Sequence, residues 1–542
     1  MLSCVVLKRV LVLLGVSLML GASVFAQTNI PATPGAHIGG TLTIGIDEGI
    51  SCLDPRLTGS GYDGYVLNEI YDKLITEDPN DLQPRPFIAK SWEVTSTGIT
   101  FYINEGIKFH NGEDLTAEDV AYSLNWQLDP VNGASEYKNL QWLEKVVIVD
   151  DYTVHAVTKP GYASYMPALA SLQGQSILPK DTLLEMGDDA FSQHPIGSGP
   201  YKFVEWKSGD HVTLERNENY WLIYPNLDKV IYRPIPELQV MILELESGGI
   251  DMTTAVPVQD IARLEKNPDL SVLQRQGLIY YYYFFNMSHE PSSDIRFRKA
   301  VHMSVDWDKA IFSIFQGLGG TRTYGAIPPT MWANDVEYLR DQVALKENDA
   351  EAKRIFAELK AEGVIPEDYT VKVYCPLDPR RGQLTTILVT NLKENGLDVE
   401  MYPLDWAPYI SLIDRSKADP TAKELDMGII GTGGPVDPNG YVYWMFHSSS
   451  AQIGAASNFA FYNNPKVDEL IHEADLTPDQ AKREALYVEA QRICFEDYVH
   501  IPAYRLNLTR GLNKRVHGYS IDPLENSQNL CNPYNNVWVE EK

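Results

Sequence analysis

The chain has 542 residues, 22% of them charged, and a formal net charge of −28 at neutral pH. That length exceeds what one hydrophobic core serves, so two or three domains are expected. A surface this acidic repels phosphate backbones and anionic lipid, which argues against nucleic acid as a partner and against binding at a membrane surface.

The first residues read as an export signal. Lys8 and Arg9 form a positive n-region, and Val10 to Leu20 is apolar apart from Gly15 and Ser17. Val24 and Ala26 then occupy the positions that a signal peptidase reads. The apolar run is shorter than the ~20 residues of a membrane anchor. A lipoprotein would carry a cysteine just after the apolar core, whereas Cys4 precedes it. The expectation is a soluble exported protein, cleaved after Ala26 and residing in a periplasm.

Residues 27–39, rich in Pro, Gly, Ala and Thr, form a flexible lead. Thr41 to Ile46 alternates as a strand does. Thr116-Ala117-Glu118-Asp119 predicts a capping box with Asp in the place of Glu, followed by Val120, Leu124 and Leu128 on one helix face. Gly197 and Gly199 are expected to take backbone angles closed to other residues, reversing a strand before Pro200. Tyr280 to Phe285 is an uninterrupted aromatic strand, and alternation should send about half of its side chains into core. Asn348 or Asp349 caps a helix bearing Ala352, Ile355, Phe356 and Leu359, with Gly363 as its stop. Thr477-Pro478-Asp479-Gln480 reads as N-cap, N1 proline and N3 glutamine of a further helix. Strands and helices intermingle, so the fold class is α/β, and no internal repeat suggests a solenoid.

Four cysteines follow the export signal: Cys52, Cys375, Cys494 and Cys531. They form no C-x-x-C pair; their even number permits disulfides in any of three connectivities, and buried or structural cysteines are expected. There is no phosphate loop, no H-E-x-x-H helix and no nucleophile elbow. Surplus carboxylates alone support a secreted hydrolase, so no catalytic residue, metal or cofactor is assigned, and a non-enzymatic protein is expected.

Several blocks in order carry a family resemblance. They are Leu53-Asp54-Pro55, Tyr71-Asp72-Lys73-Leu74, Ile88-Ala89-Lys90-Ser91-Trp92 and Gly106 to Gly112, then Leu115 to Ser123. Further on come Pro195 to Tyr201, Arg216-Asn217 with Tyr220-Trp221, and Asp294 to Ala300 with Val305-Asp306. In this the chain resembles the family 5 extracellular solute-binding proteins, receptors of ABC importers, from about Gly40 to its C-terminal region. The resemblance implies a periplasmic-binding-protein-like fold, two lobes joined by a strand hinge, with an extra domain inserted into the first lobe. Lobe I is expected at 40–75, 198–289 and 505–542, the inserted domain at 76–197 and lobe II at 290–504. The implied partners are a small-molecule ligand and the permease subunits of the importer, and a monomer is expected.

The resemblance also implies ligand contacts. Asp437, in the loop Gly434 to Tyr441, matches an aspartate that holds a peptide ammonium in this family. Arg381, beside Arg380, lies where dipeptide receptors carry an arginine for the peptide carboxylate. Tyr280, Tyr282, Trp406, Tyr441 and Trp444 are expected to line the cleft. A short peptide is the expected ligand; an oligosaccharide, suited to the same aromatic faces, is the alternative, and nickel fits the scattered histidines less well.

Overall fold

The strand His500–Asn513 runs through both halves of the molecule. In this computed structural model, residues 35–541 are described except 59, 96, 136, 141, 160–168, 171–174, 414–423, 434–435, 452–457, 478 and 525–528. The export signal at 1–26, residues 27–34 of the lead, and Gly434, Pro435 and Pro478 therefore lie outside the described residues.

The first half of that strand pairs antiparallel with Tyr280–Phe285 and Gly320–Arg322; the second half pairs with Leu270–Gln276 and Met252–Thr253. Around the second half, lobe I is built in the order Met252–Thr253, Thr41–Ile46, Lys229–Pro234, His211–Arg216, Tyr201–Lys207. Around the first half, lobe II continues through Tyr280–Phe285 to Met427–Thr432, Val371–Pro376 and Val399–Leu404. A separate four-stranded antiparallel sheet spans residues 89–158, with the helix Ala117–Leu128 against it. It is the inserted domain.

Strand pairing does not follow the expected division at one segment. Tyr280–Phe285, assigned from sequence to lobe I, lies in the sheet of lobe II. The strands change partner at 277–279 on one chain segment and at 506–507 on the other, where the Gly277 N–H donates to the Leu506 carbonyl at 2.9 Å. Beside it Arg505 is wholly buried and donates to the carbonyls of Leu278, Gly325 and Ala326. A boundary set by where a helix begins cannot see which sheet a strand joins.

The helix signals hold in two of three cases. Thr116 and Asp119 form the reciprocal capping box, and Asn348 caps Asp349–Ala361, which ends before Gly363 at a φ of 79°. The third start is displaced: Asp479, not Thr477, caps Gln480–Glu496 by accepting from the Lys482 N–H. Thr477 instead ends the preceding helix, Pro465–Leu476. The four cysteines are free thiols.

The glycines of the Gly197-Ser198-Gly199 turn are needed for a different reason from the one expected. Neither has a positive φ. A Cβ on Gly197 would lie 2.0 Å from the Ile70 carbonyl oxygen, and one on Gly199 would lie 2.6 Å from that of Glu69. The turn is pressed against backbone, and Asp72 ties it down. The Asp72 carboxylate accepts from Ser198 at 3.1 Å, the Tyr220 hydroxyl at 3.1 Å and the Trp221 indole at 2.8 Å. Burial pushes this carboxyl up to about 6, against the pull of those three donors. Tyr220-Trp221 is thus a packed corner of the scaffold. Gly197→Ala should lower stability by about 1–3 kcal/mol through overpacking, read as a lower urea midpoint at unchanged m-value.

Candidate ligand-binding site

Strand direction locates the cleft. Val371–Pro376 lies between two parallel neighbours, Val399–Leu404 and Met427–Thr432. The helix that follows it, Pro379–Glu394, packs into one apolar cluster through Leu384, Leu388 and Leu392. The helix Trp406–Ile413 packs into another, through Tyr409, Leu412 and Ile413. The chain therefore leaves adjacent strands toward opposite faces, which opens a crevice at their carboxyl ends. Lobe I repeats the arrangement. Thr41–Ile46 lies between parallel Lys229–Pro234 and Met252–Thr253, with the helices Gly61–Ile70 and Leu238–Ser247 in different clusters. Thr41–Ile46 and its parallel neighbours run against the common strand, whereas Met427–Thr432 and Val371–Pro376, reached across Tyr280–Phe285, run with it, so both sets of carboxyl ends point toward the line where that strand changes partner.

The lobe II crevice is cationic and aromatic. Asp378 caps its helix by accepting from the Arg381 N–H at 2.8 Å. The Arg381 guanidinium lies 5.3 Å from the Trp406 ring centre and 5.9 Å from that of Tyr281, and its Nε is 3.4 Å from Asp378. Tyr281 in turn stacks on Tyr504 at 4.6 Å. Arg380 shares the same carboxylate at 3.7 Å, so two guanidinium groups meet one acid. Trp406 and Leu377 are 52% and 63% exposed. In lobe I, at the carboxyl end of Thr41–Ile46, Asp47 accepts from Thr254 at 3.0 Å and Tyr62 at 3.3 Å, beside the exposed Glu48.

Arg381 and Trp406 are thus brought together as a pair, and Tyr281 joins them unforeseen. Three of the expected aromatics are not at a surface. Tyr280, Tyr282 and Tyr441 have no exposed area: Tyr280 stacks on Tyr282 at 4.7 Å, and the Tyr441 hydroxyl donates to the Leu278 carbonyl at 3.3 Å. The physical reason is that Tyr280–Phe285 is covered on both faces. Tyr280, Tyr282 and Phe284 fill one cluster, Tyr283 and Phe285 the other. Period-2 alternation was the available signal for Tyr281, which lies on the face opposite Tyr280 and Tyr282. Trp444 is half-buried on the helix Asn439–Phe446.

Asp437 has a partner from within the chain. It is 1% exposed, and Arg483 Nη2 approaches its two oxygens at 3.3 and 3.4 Å. Its Oδ1 accepts the Asn439 N–H at 2.8 Å as well. Burial raises the Asp437 carboxyl above its ordinary range, and Arg483 opposes that shift. Neighbouring Asp475, which accepts from the Tyr487 hydroxyl at 3.1 Å, is pushed up to about 6, again chiefly by burial. Arg483 was missed because its partner lies 46 residues away and no local spacing links them.

These features define a two-lobed, hinge-linked binding protein of the α/β periplasmic-binding class with an inserted domain. The model of the bacterial extracellular solute-binding proteins, family 5, matches residues 83–453 in its middle region, and the chain belongs to that family. Among its relatives, the heme-binding protein A of Haemophilus influenzae is 27% identical over 492 residues, 86% of this chain and 87% of the relative. The dipeptide-binding protein of Escherichia coli is 25% identical over 535 residues, 94% and 95% of the two chains. Of solved structures, the oligopeptide-binding protein AppA of Bacillus subtilis, in complex with a nonapeptide, superposes with a TM-score of 0.73 at 23% identity, covering 93% of this chain and 100% of that one. As a family member the protein is a periplasmic receptor for a solute, a binder and not a catalyst.

If Asp437 neutralises Arg483 within the fold, Asp437→Asn should destabilise the ligand-free protein by about 3 kcal/mol. Urea unfolding without ligand measures this. Unchanged ligand-free stability would return Asp437 to the cleft.

Proposed function

We propose that the protein is the receptor of an ABC-type importer for short peptides, holding the ligand by its carboxylate between closing lobes and passing it to the permease subunits. The observation that carries this reading is Arg381. Its guanidinium is held between Trp406 and Tyr281 by ring contacts and oriented by Asp378. A planar fork fixed in this way suits bidentate pairing with a carboxylate. Exposed Trp406 and Leu377 offer an apolar shelf for ligand side chains, and Asp47 and Glu48 supply the opposite charge from the facing lobe. Hinge closure would desolvate all of these groups together and strengthen each interaction. The names of the dipeptide- and oligopeptide-binding relatives support a peptide; heme in another relative's name marks how far ligands diverge on this fold.

The same reading has the export signal cleaved after Ala26, leaving a soluble chain without a lipid anchor. It divides the lobes at 277–279 and 506–507, where the strands change partner. The exposed indole of Trp406 favours an oligosaccharide as the second reading, since a flat aromatic face also stacks on a sugar ring.

Calorimetry with di- to pentapeptides tests the proposal. Arg381→Met should weaken binding by about 10- to 100-fold, the equivalent of one charge-assisted pairing. Full affinity in that variant would remove Arg381 from the site. Binding confined to oligosaccharides, and lost in Trp406→Ala, would put the second reading in place of the first.

A further inference from the structure

We propose that two apolar plugs bracket the hinge, Leu82 entering lobe II from the lobe I side and Leu318 entering lobe I from lobe II, and that they set how readily the lobes close and so how tightly a ligand is held. The proposal rests on the closing lobes of the reading above, but not on the ligand being a peptide.

Leu82 stands in the turn between Ile75–Glu77 and Pro84–Pro86, at the root of the inserted domain. Leu74, Ile75 and Ile88, on either side of that turn, pack into the inserted domain's own apolar cluster. Leu82 is 1% exposed and belongs instead to the lobe II cluster that contains Leu278, Tyr280, Ala326 and Ile327. Its backbone is left-handed, with a φ of 57°, a region that a branched side chain keeps only when its surroundings hold it there. The turn is tied to itself: the Leu82 N–H donates to the Asp78 carbonyl at 2.7 Å, and Asp78 and Asp81 both accept from Arg85. Arg275, on the strand Leu270–Gln276 that leads into the hinge, donates to the Pro79 carbonyl and fixes the turn beside the crossing.

Leu318 is the reciprocal case. The helix before it, Trp307–Phe315, packs into lobe II through Trp307, Ile311 and Phe315. Leu318 itself packs against the lobe I cluster of Met241, Leu245, Val256 and Ile261. Asn507 holds it in place, its side-chain amide donating to the Leu318 carbonyl at 2.6 Å and its N–H to the Gly319 carbonyl at 3.1 Å. Farther along the same strand, Thr509 exchanges hydrogen bonds with the Val256 N–H and carbonyl at 3.0 and 3.1 Å. A loop from each lobe is thus tied to one stretch of the shared strand, and the two loops touch. A Cβ on Gly319 would lie 2.0 Å from Val258 Cγ2.

Rotation about the hinge moves the anchor of each plug relative to its socket. Close-packed apolar contacts favour discrete arrangements over continuous sliding, so the seated plugs hold the lobes at a preferred angle. A ligand that needs the lobes closed binds with its intrinsic affinity scaled by the fraction of molecules in the binding-competent arrangement. Residues that touch no ligand therefore enter its dissociation constant.

The test uses the full-length mature protein with one spin label on each lobe and reads the interlobe distance distribution without ligand. Leu82→Ala and Leu318→Ala should each shift that distribution from the wild-type one. Gly319→Ala, which drives a methyl group against Val258, should shift it too, and Val258→Ala in the same chain should restore it. Calorimetry with trialanine should give dissociation constants changed about threefold or more in the single variants, and returned toward wild type in Gly319→Ala/Val258→Ala. If a leucine variant does not fold, the Gly319 and Val258 pair decides alone. Either readout matching wild type in every folded variant would overturn the proposal. Shifted distributions in a protein that binds none of the di- to pentapeptides would sustain the plugs while overturning the peptide reading.

Discussion

The architecture depends on one strand that two lobes must share. His500–Asn513 supplies hydrogen bonds to lobe II with its first half and to lobe I with its second. A backbone in this position has to stay continuous and paired while the lobes rotate about it. Arg505 answers that requirement where the strand changes partner. Its guanidinium has backbone carbonyls as its hydrogen-bond partners, from Leu278 on the companion crossing and from Gly325 and Ala326 in lobe II. Buried carbonyls left without donors are costly, so one rigid, multi-donor side chain holds the crossing in a single arrangement. Burial lowers its proton affinity to about 10, which still leaves it charged at neutral pH.

From the hinge, strand polarity does the rest. One parallel set runs with the common strand and the other against it, which turns the carboxyl ends of both toward the same line. Loops at those ends can differ in charge without disturbing the sheets. Lobe I carries Asp47 and Glu48 there, and lobe II carries Arg380, Arg381 and Trp406. The fold supplies a place for a ligand, and a few loop residues decide which ligand it is.

Two buried carboxylates in this molecule, one paired with an arginine and one with neutral donors, hold elements in register more than they add net stability. Asp437–Arg483 fixes a cleft loop to a helix, and Asp72 fixes the Gly197–Tyr201 turn to an aromatic corner. Each carboxyl is raised by desolvation against the pull of its partners. Such groups persist because removing either member leaves the other stranded. Their presence beside a cleft is therefore no sign by itself that they meet a ligand.

Much of this was legible in the sequence. The α/β class, the inserted domain, the capping box at Thr116 and the N-cap at Asn348 could be anticipated, since they rest on local pattern or on blocks matched along the chain. What tertiary structure decided was partnership at a distance. Whether Tyr280 faces a cleft or a core depends on which strands lie on either side of it, and period 2 is the same in both cases. Gly197 is required by the Ile70 carbonyl more than a hundred positions earlier in the chain, a contact that no turn rule contains. Asp437 looks identical in sequence whether it awaits an ammonium or already holds Arg483. Local spacing encodes backbone geometry, but the charge state and exposure of a side chain are set by neighbours that only folding brings near.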